Sequence, residues 1–234
     1  MTWSIVARDV QTGAFGIAVT TCFFAVGALC PYVESGIGAV ATQAMVNPLL
    51  GSRGLRLLAE DVPAEAAVPL LLAPDQGREH RQLHLVDRAG ATAAHTGAEC
   101  VPWCGHVFER DVSVAGNMLV GPEVVGDTLA AYCSATGSFA ERLLAALDAG
   151  QVAGGDKRGR QSAALMVCST ERYPDLDLRV DDHPDPLIEL RRLYEVSRRY
   201  APYRRFMPTA ANPSGLYDRA LLERELTQAR LRQS

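Results

Sequence analysis

A threonine stands directly behind the initiator methionine in MTWSIVARD, at the start of a strand-like run. A hydroxyl is a weak nucleophile until a base lies within hydrogen-bond reach, and an amino-terminal threonine carries such a base in its own α-amine. That amine has a pKa of about 7.7–8.0, so a useful fraction is neutral at physiological pH. A small second residue favours removal of Met1, which would leave Thr2 with both groups free. Thr2 is the leading candidate nucleophile, set against the plainer reading that β-branched residues commonly open strands.

Other stretches carry chemistry by type and spacing. In AGGDKRGRQS (153–162), glycines surround Asp156, Lys157, Arg158 and Arg160 just before an apolar strand, and Lys157 is the only lysine of the chain. Such a loop can bring cations to a substrate carboxylate or lower an amine pKa; the plainer reading is a solvated turn. LRVDDHPDP gathers Asp181, Asp182, His183 and Asp185. Its structural reading, with Asp185 as N-cap ahead of Pro186 and Arg179 paired to an aspartate, outweighs a metal site or a base. Cys100, Cys104 and His106 in ECVPWCGH, with His80 and His84 nearby, lack a second matching pair, so neither zinc nor any other cofactor is expected. Arg53 in GSRG and His95 in AAHTG are candidates to line a pocket, although a lone histidine is more often structural.

The 23 basic and 27 acidic residues give a net charge of -4, which offers no general attraction to nucleic acid or to an acidic membrane. The arginine pairs at 191–192, 198–199 and 204–205 are offset by Glu189, Glu195 and the acidic residues that follow. Six scattered cysteines fit small core residues in a reducing compartment, so a cytoplasmic protein is expected. Residues 10–33 contain no charge, but Gly13, Gly16, Gly27, Pro31, Thr20 and Thr21 interrupt them, which argues against a membrane anchor.

Positioning these groups requires a particular order of elements. Residues 3–9 and 14–21 read as a hairpin buried on both faces, and 36–44 as a third strand. Two helices follow between Pro48 and Leu72, the second disturbed by Pro69. Strands around HRQLHLVD, ATAAHTG and DVSVAGNMLVG come next, then helices at VVGDTLAAYC and FAERLLAALDAG, the latter with Gly150 as C-cap. Strands QSAALMVCS and DLDLRVDD and a helix over about 186–199 complete the succession. Strands lacking polar alternation must be covered on both sides, which predicts an α/β (α+β) four-layer αββα sandwich over 1–199. Residues 200–234 read as a helical appendage. Its helix carries Leu216, Tyr217, Ala220 and Leu221 on a charged surface, which predicts a homodimer or higher homo-oligomer.

TWSIVARD, GIAVTTCFFAVGA, GIGAVATQAMVNP, GPEVV, AGGDKRGRQSAALMV and LRVDDHPDP together resemble an uncharacterised family assigned to the N-terminal-nucleophile (Ntn) hydrolase superfamily, over residues 2 to about 195. The resemblance implies the αββα sandwich, a nucleophile opening the first strand, and a small amide or peptide-like C–N bond as target. Carried over by position, it sets Thr20 and Thr21 beside Thr2 to orient the amine or bind substrate. It also puts Thr42 and Gln43, or Asn117, where a developing oxyanion would lie. It favours a functional role for Asp156, Lys157, Arg160 and Ser162. Many such enzymes place an aspartate or arginine in the turn that here holds Thr20 and Thr21. The reading is an amidohydrolase acting on a small-molecule amide without a cofactor, with a non-catalytic small-molecule binding protein on the same fold as the alternative.

Overall fold

The structure is a computed structural model and describes residues 2–231; Met1, and with it the question of its removal, lies outside the described residues. Two compact units divide at Leu190 and Arg191.

In the first unit, β1 (Thr2–Arg8) and β2 (Phe15–Thr21) form the expected hairpin, with Trp3 opposite Thr20 and Arg8 opposite Phe15. Beside them run β8 (Val112–Asn117) and β7 (Gly105–Glu109) on one side and β9 (Ser162–Cys168) and β10 (Leu176–Val180) on the other, all antiparallel. A second, four-stranded sheet has the order β3 (Pro31–Glu34), β4 (Gly38–Ala44), β5 (Arg81–Asp87) and β6 (Thr92–Thr96). The sheets pack face to face. Helices α1 (Pro48–Ala59) and α2 (Ala64–Leu72) cover the smaller sheet, and α3 (Glu123–Ser134) and α4 (Phe139–Val152) the larger, which completes the four-layer sandwich.

Local chemistry starts the helices where the residue types indicate. Asn47 accepts a hydrogen bond from the Leu49 N–H ahead of Pro48, and Ser138 and Glu141 form a capping box on α4, each satisfying amide groups that the helix itself leaves open. Pro69 is carried inside α2 without ending it. Gly150 is not the C-cap: α4 runs on to Val152, and a Cβ at position 150 would come within 2.6 Å of the Trp3 indole nitrogen. Its glycine is fixed by close packing of helix on strand. The short edge strands β3 and β7 have no apolar run to announce them, because each lies at a sheet margin with only part of its surface covered. Residues 10–33 form β2, a turn and the start of β3, and among the described residues no helix is long and apolar enough to cross a membrane.

Alternation along β1 sorts its side chains. Trp3 faces α4, whereas Ser4 reaches Gln43 and His84 of the other sheet. The space between the sheets is thereby divided. One half is apolar, built from Val6, Phe15, Ile17, Val19, Ala41 and Val86; the other is polar, built from Ser4, Gln43, Gln82, His84, Ser113 and Asn117, all buried.

Helix α5 (Pro186–Arg198) starts as expected, with Asp185 accepting from the Ile188 N–H at 3.4 Å. In the second unit, α6 (Arg219–Leu231) begins later than its residue pattern suggests. Asp218 takes the N-cap by accepting from the Leu221 N–H at 2.9 Å, which leaves Leu216 and Tyr217 ahead of the helix. The end of the expected helix, beyond Leu231, lies outside the described residues.

Candidate functional site

The β1–β2 register returns the chain so that Thr2 and Thr21 meet, and Thr2 Oγ1 donates to Thr21 Oγ1 at 3.2 Å. On the other side of β1, Asn117 is the ladder partner of Thr2. Thr2 is 7% exposed and lines a cavity of about 80 Å³ with Phe23, Val26, Leu29, Cys30, Thr42, Gln43, Ala44 and Val46. The candidate nucleophile thus lines an apolar pocket at the end of a central strand.

Three of the expected site residues build the pocket wall from behind. Ser162 Oγ donates to the Phe23 carbonyl at 2.6 Å and accepts from the Val26 N–H at 3.1 Å, so it clamps both ends of the lining loop. Thr20 Oγ1 donates to the Ser162 carbonyl at 3.0 Å. Asp156 accepts from the Cys22 N–H at 2.9 Å and the Arg158 N–H at 2.7 Å, with the Arg158 guanidinium 3.3 Å away. These bonds fix the turn that carries Thr21.

Gln43 and Asn117 have their amide protons committed elsewhere. Gln43 Nε2 donates to Gln82 Oε1 at 2.7 Å and the Ala115 carbonyl at 3.1 Å. Asn117 Nδ2 donates to Gln82 Oε1 at 3.1 Å and the Thr2 carbonyl at 3.4 Å. A primary amide has two N–H donors, so both side chains act on the placement of the strands around Thr2. Thr42 Oγ1 likewise donates to the Asn47 carbonyl at 3.2 Å.

The remaining candidates stand apart from this cavity. Lys157 Nζ donates to the Pro102 carbonyl at 2.7 Å, and Arg160 pairs with Asp185 at 2.8 Å. Arg53 lies on the exposed face of α1, and His95 Nε2 meets the Arg78 carbonyl at 3.0 Å. Arg179 pairs with Asp181 at 2.9 Å. Cys104 and Cys100 each donate to a backbone carbonyl, and among the described residues no group of three or more metal-ligating side chains forms.

Burial sets the protonation of two groups outside the expected site residues. The Cys30 thiol, in the pocket wall, is pushed up to about 12 by loss of water, against weaker help from Ser4 and the Thr42 backbone. His84 is pulled down to about 3, chiefly by burial and secondarily by His106. Gln82 and His84 alternate with Leu83 and Leu85 along β5, a pattern that ordinarily marks a solvent face. Here the polar face meets another sheet.

The chain matches the model of a family of unknown function, DUF1028, over residues 2–190. It belongs to that family. A crystal structure of a DUF1028 protein from Silicibacter pomeroyi superposes with a TM-score of 0.87 at 34% identity, covering 93% of this chain and 99% of that one. Anbu, an ancestral β-subunit from Yersinia bercovieri, is 10% identical with a TM-score of 0.37, over 83% of this chain and 94% of its own. That likeness is too low to carry chemistry across. No curated protein matches the chain.

Proposed function

We propose that this DUF1028 protein is an Ntn-type amidohydrolase whose nucleophile is Thr2 after removal of Met1. The observation that carries the reading is Thr2 itself, nearly buried, lining a pocket with its hydroxyl held by Thr21 at 3.2 Å. In this mechanism Thr2 Oγ1 attacks the amide carbonyl carbon, and the α-amine of the same residue takes the hydroxyl proton. Collapse of the tetrahedral intermediate breaks the C–N bond, the amine gives that proton to the leaving nitrogen, and an acyl ester remains on Thr2. Water then attacks the ester, its proton passes through the amine back to Oγ1, and the carboxylic acid leaves.

With the Gln43 and Asn117 side-chain donors occupied, the oxyanion falls to backbone N–H groups of the lining loops. The Phe23 amide is the first candidate, since it donates to no acceptor among the described residues. Thr21 orients the nucleophile, and Asp156 and Ser162 keep the loop in place.

A β-lactone that acylates amino-terminal nucleophiles tests the reading by intact mass. Loss of one methionine and a single adduct, absent in Thr2→Ala, is the expected result. Retained Met1 with no adduct would overturn it in favour of a binding protein on the same fold. That second reading draws on the pocket lining, which contains no ionisable side chain apart from the neutral Cys30 thiol.

A further inference from the structure

The walls of the Thr2 pocket specify what can enter. Phe23, Val26, Leu29, Ala44 and Val46 are hydrocarbon, and Cys30 is a buried thiol held protonated. The polar side chains of the lining have no donor left over: Thr2 Oγ1 donates to Thr21, Thr42 Oγ1 to the Asn47 carbonyl, and both Gln43 amide protons to the neighbouring strands. Among the described residues no carboxylate lines the pocket, and Asp156, which holds the turn before Phe23, is turned to the Cys22 and Arg158 amides. A polar or charged substituent pushed past Thr2 into this space would lose its water and meet no free side-chain donor, which is costly.

Size sets the second limit. An engineered apolar cavity of about 150 Å³ holds benzene, and the pocket here has about 80 Å³. The room left is roughly that of three to five aliphatic carbons on the same comparison. Phe23, in the lining, is 54% exposed, so the pocket reaches solvent beside an apolar side chain.

We propose that the Thr2 pocket is the acyl site for a short, uncharged aliphatic acyl group, so that the substrate is an amide of a small aliphatic carboxylic acid. The proposal rests on the hydrolase reading for its chemistry, and on the walls alone for its selectivity. The amine half of the substrate stays outside the pocket and carries little of the selection.

The test is a series of acyl p-nitroanilides (acetyl, butyryl, isovaleryl, octanoyl, benzoyl and succinyl) with binding measured in parallel on Thr2→Ala by titrating isobutyramide and succinamate. The expected result is butyryl or isovaleryl turnover with kcat/KM at least about tenfold above succinyl, benzoyl and octanoyl. Leu29→Ala, which removes wall and touches no reacting atom, should shift the optimum to longer chains. Turnover that treats succinyl or octanoyl as well as butyryl would overturn the acyl-site assignment while leaving the hydrolase reading standing. With no turnover of any anilide and no β-lactone adduct, the hydrolase reading fails and the binding arm decides. Saturable isobutyramide binding with succinamate excluded then supports the pocket assignment, and equal binding of both, or of neither, overturns it.

Discussion

Ser4 Oγ and His84 Nε2 lie 2.8 Å apart, with both side chains fully buried between the sheets. The pair has the composition of a serine–histidine nucleophile and the opposite polarity. The Ala115 carbonyl can only accept, which fixes Gln43 Nε2 toward it and Gln43 Oε1 toward Ser4. Ser4 must then donate to Gln43 at 2.6 Å, so His84 Nε2 carries the proton of its bond to Ser4 and Ser113 donates to Nδ1 at 3.0 Å. His84 is a donor toward Ser4 and has no capacity to deprotonate it.

Acid should destabilise the protein through this histidine. His84 titrates near 3 in the folded state against about 6.5 when unfolded. Between those values the unfolded chain binds the extra proton, so stability is full above about pH 6.5 and falls as the pH drops, by up to about 1.4 kcal/mol per unit. His106, also lowered by burial and by His95, acts in the same direction. Urea denaturation at pH 7.5, 5.5 and 4.5 should show the decline, and His84→Gln should flatten it. A flat wild-type profile would count against a buried neutral imidazole.

Cys30 should be inert although it lines the pocket. Its thiol is 1% exposed and titrates near 12, and the thiolate is the reactive form. Iodoacetamide at pH 8 should modify exposed Cys133 and half-exposed Cys22 in the folded protein and leave Cys30 intact, as read by peptide mapping. Rapid alkylation of Cys30 would make it a rival nucleophile.

Gln82 joins the two sheets under the site. Its Oε1 accepts from both Gln43 and Asn117, and its Nε2 donates to the Gly105 and Gly116 carbonyls. Gln82→Leu leaves buried donors and acceptors unpaired, an expected loss of about 2–4 kcal/mol. Because Asn117 also donates to the Thr2 carbonyl, β-lactone labelling of Thr2 should slow as well. Unchanged stability in chemical denaturation would show that the polar layer contributes nothing net.

The second unit exposes Tyr217 and Leu231 at 89% and 71%, and we propose that it mediates self-association. Light scattering should give a dimer or larger for the full chain and a smaller species for a chain ending at Arg199. An unchanged mass would assign any association to the sandwich.

The residues by themselves determined the layer order, because runs such as SIVAR and GIAVTT, apolar without alternation, require cover on both faces. Asp185 before Pro186 likewise announced a helix start through a bond made within a few residues. Thr2 stood out by chemistry, since a hydroxyl beside a free amine needs no distant partner. What only the tertiary structure decided are contacts between residues far apart in the chain. Ser162 clamps Phe23 across 139 positions and Ser4 meets His84 across 80. Lys157, conspicuous as the only lysine, turned to the Pro102 carbonyl. The burial of Gln82 and His84 was not legible, because alternation reports polarity and says nothing of what lies opposite. A second sheet with its own polar side chains lies there, and its register comes from packing the whole sandwich.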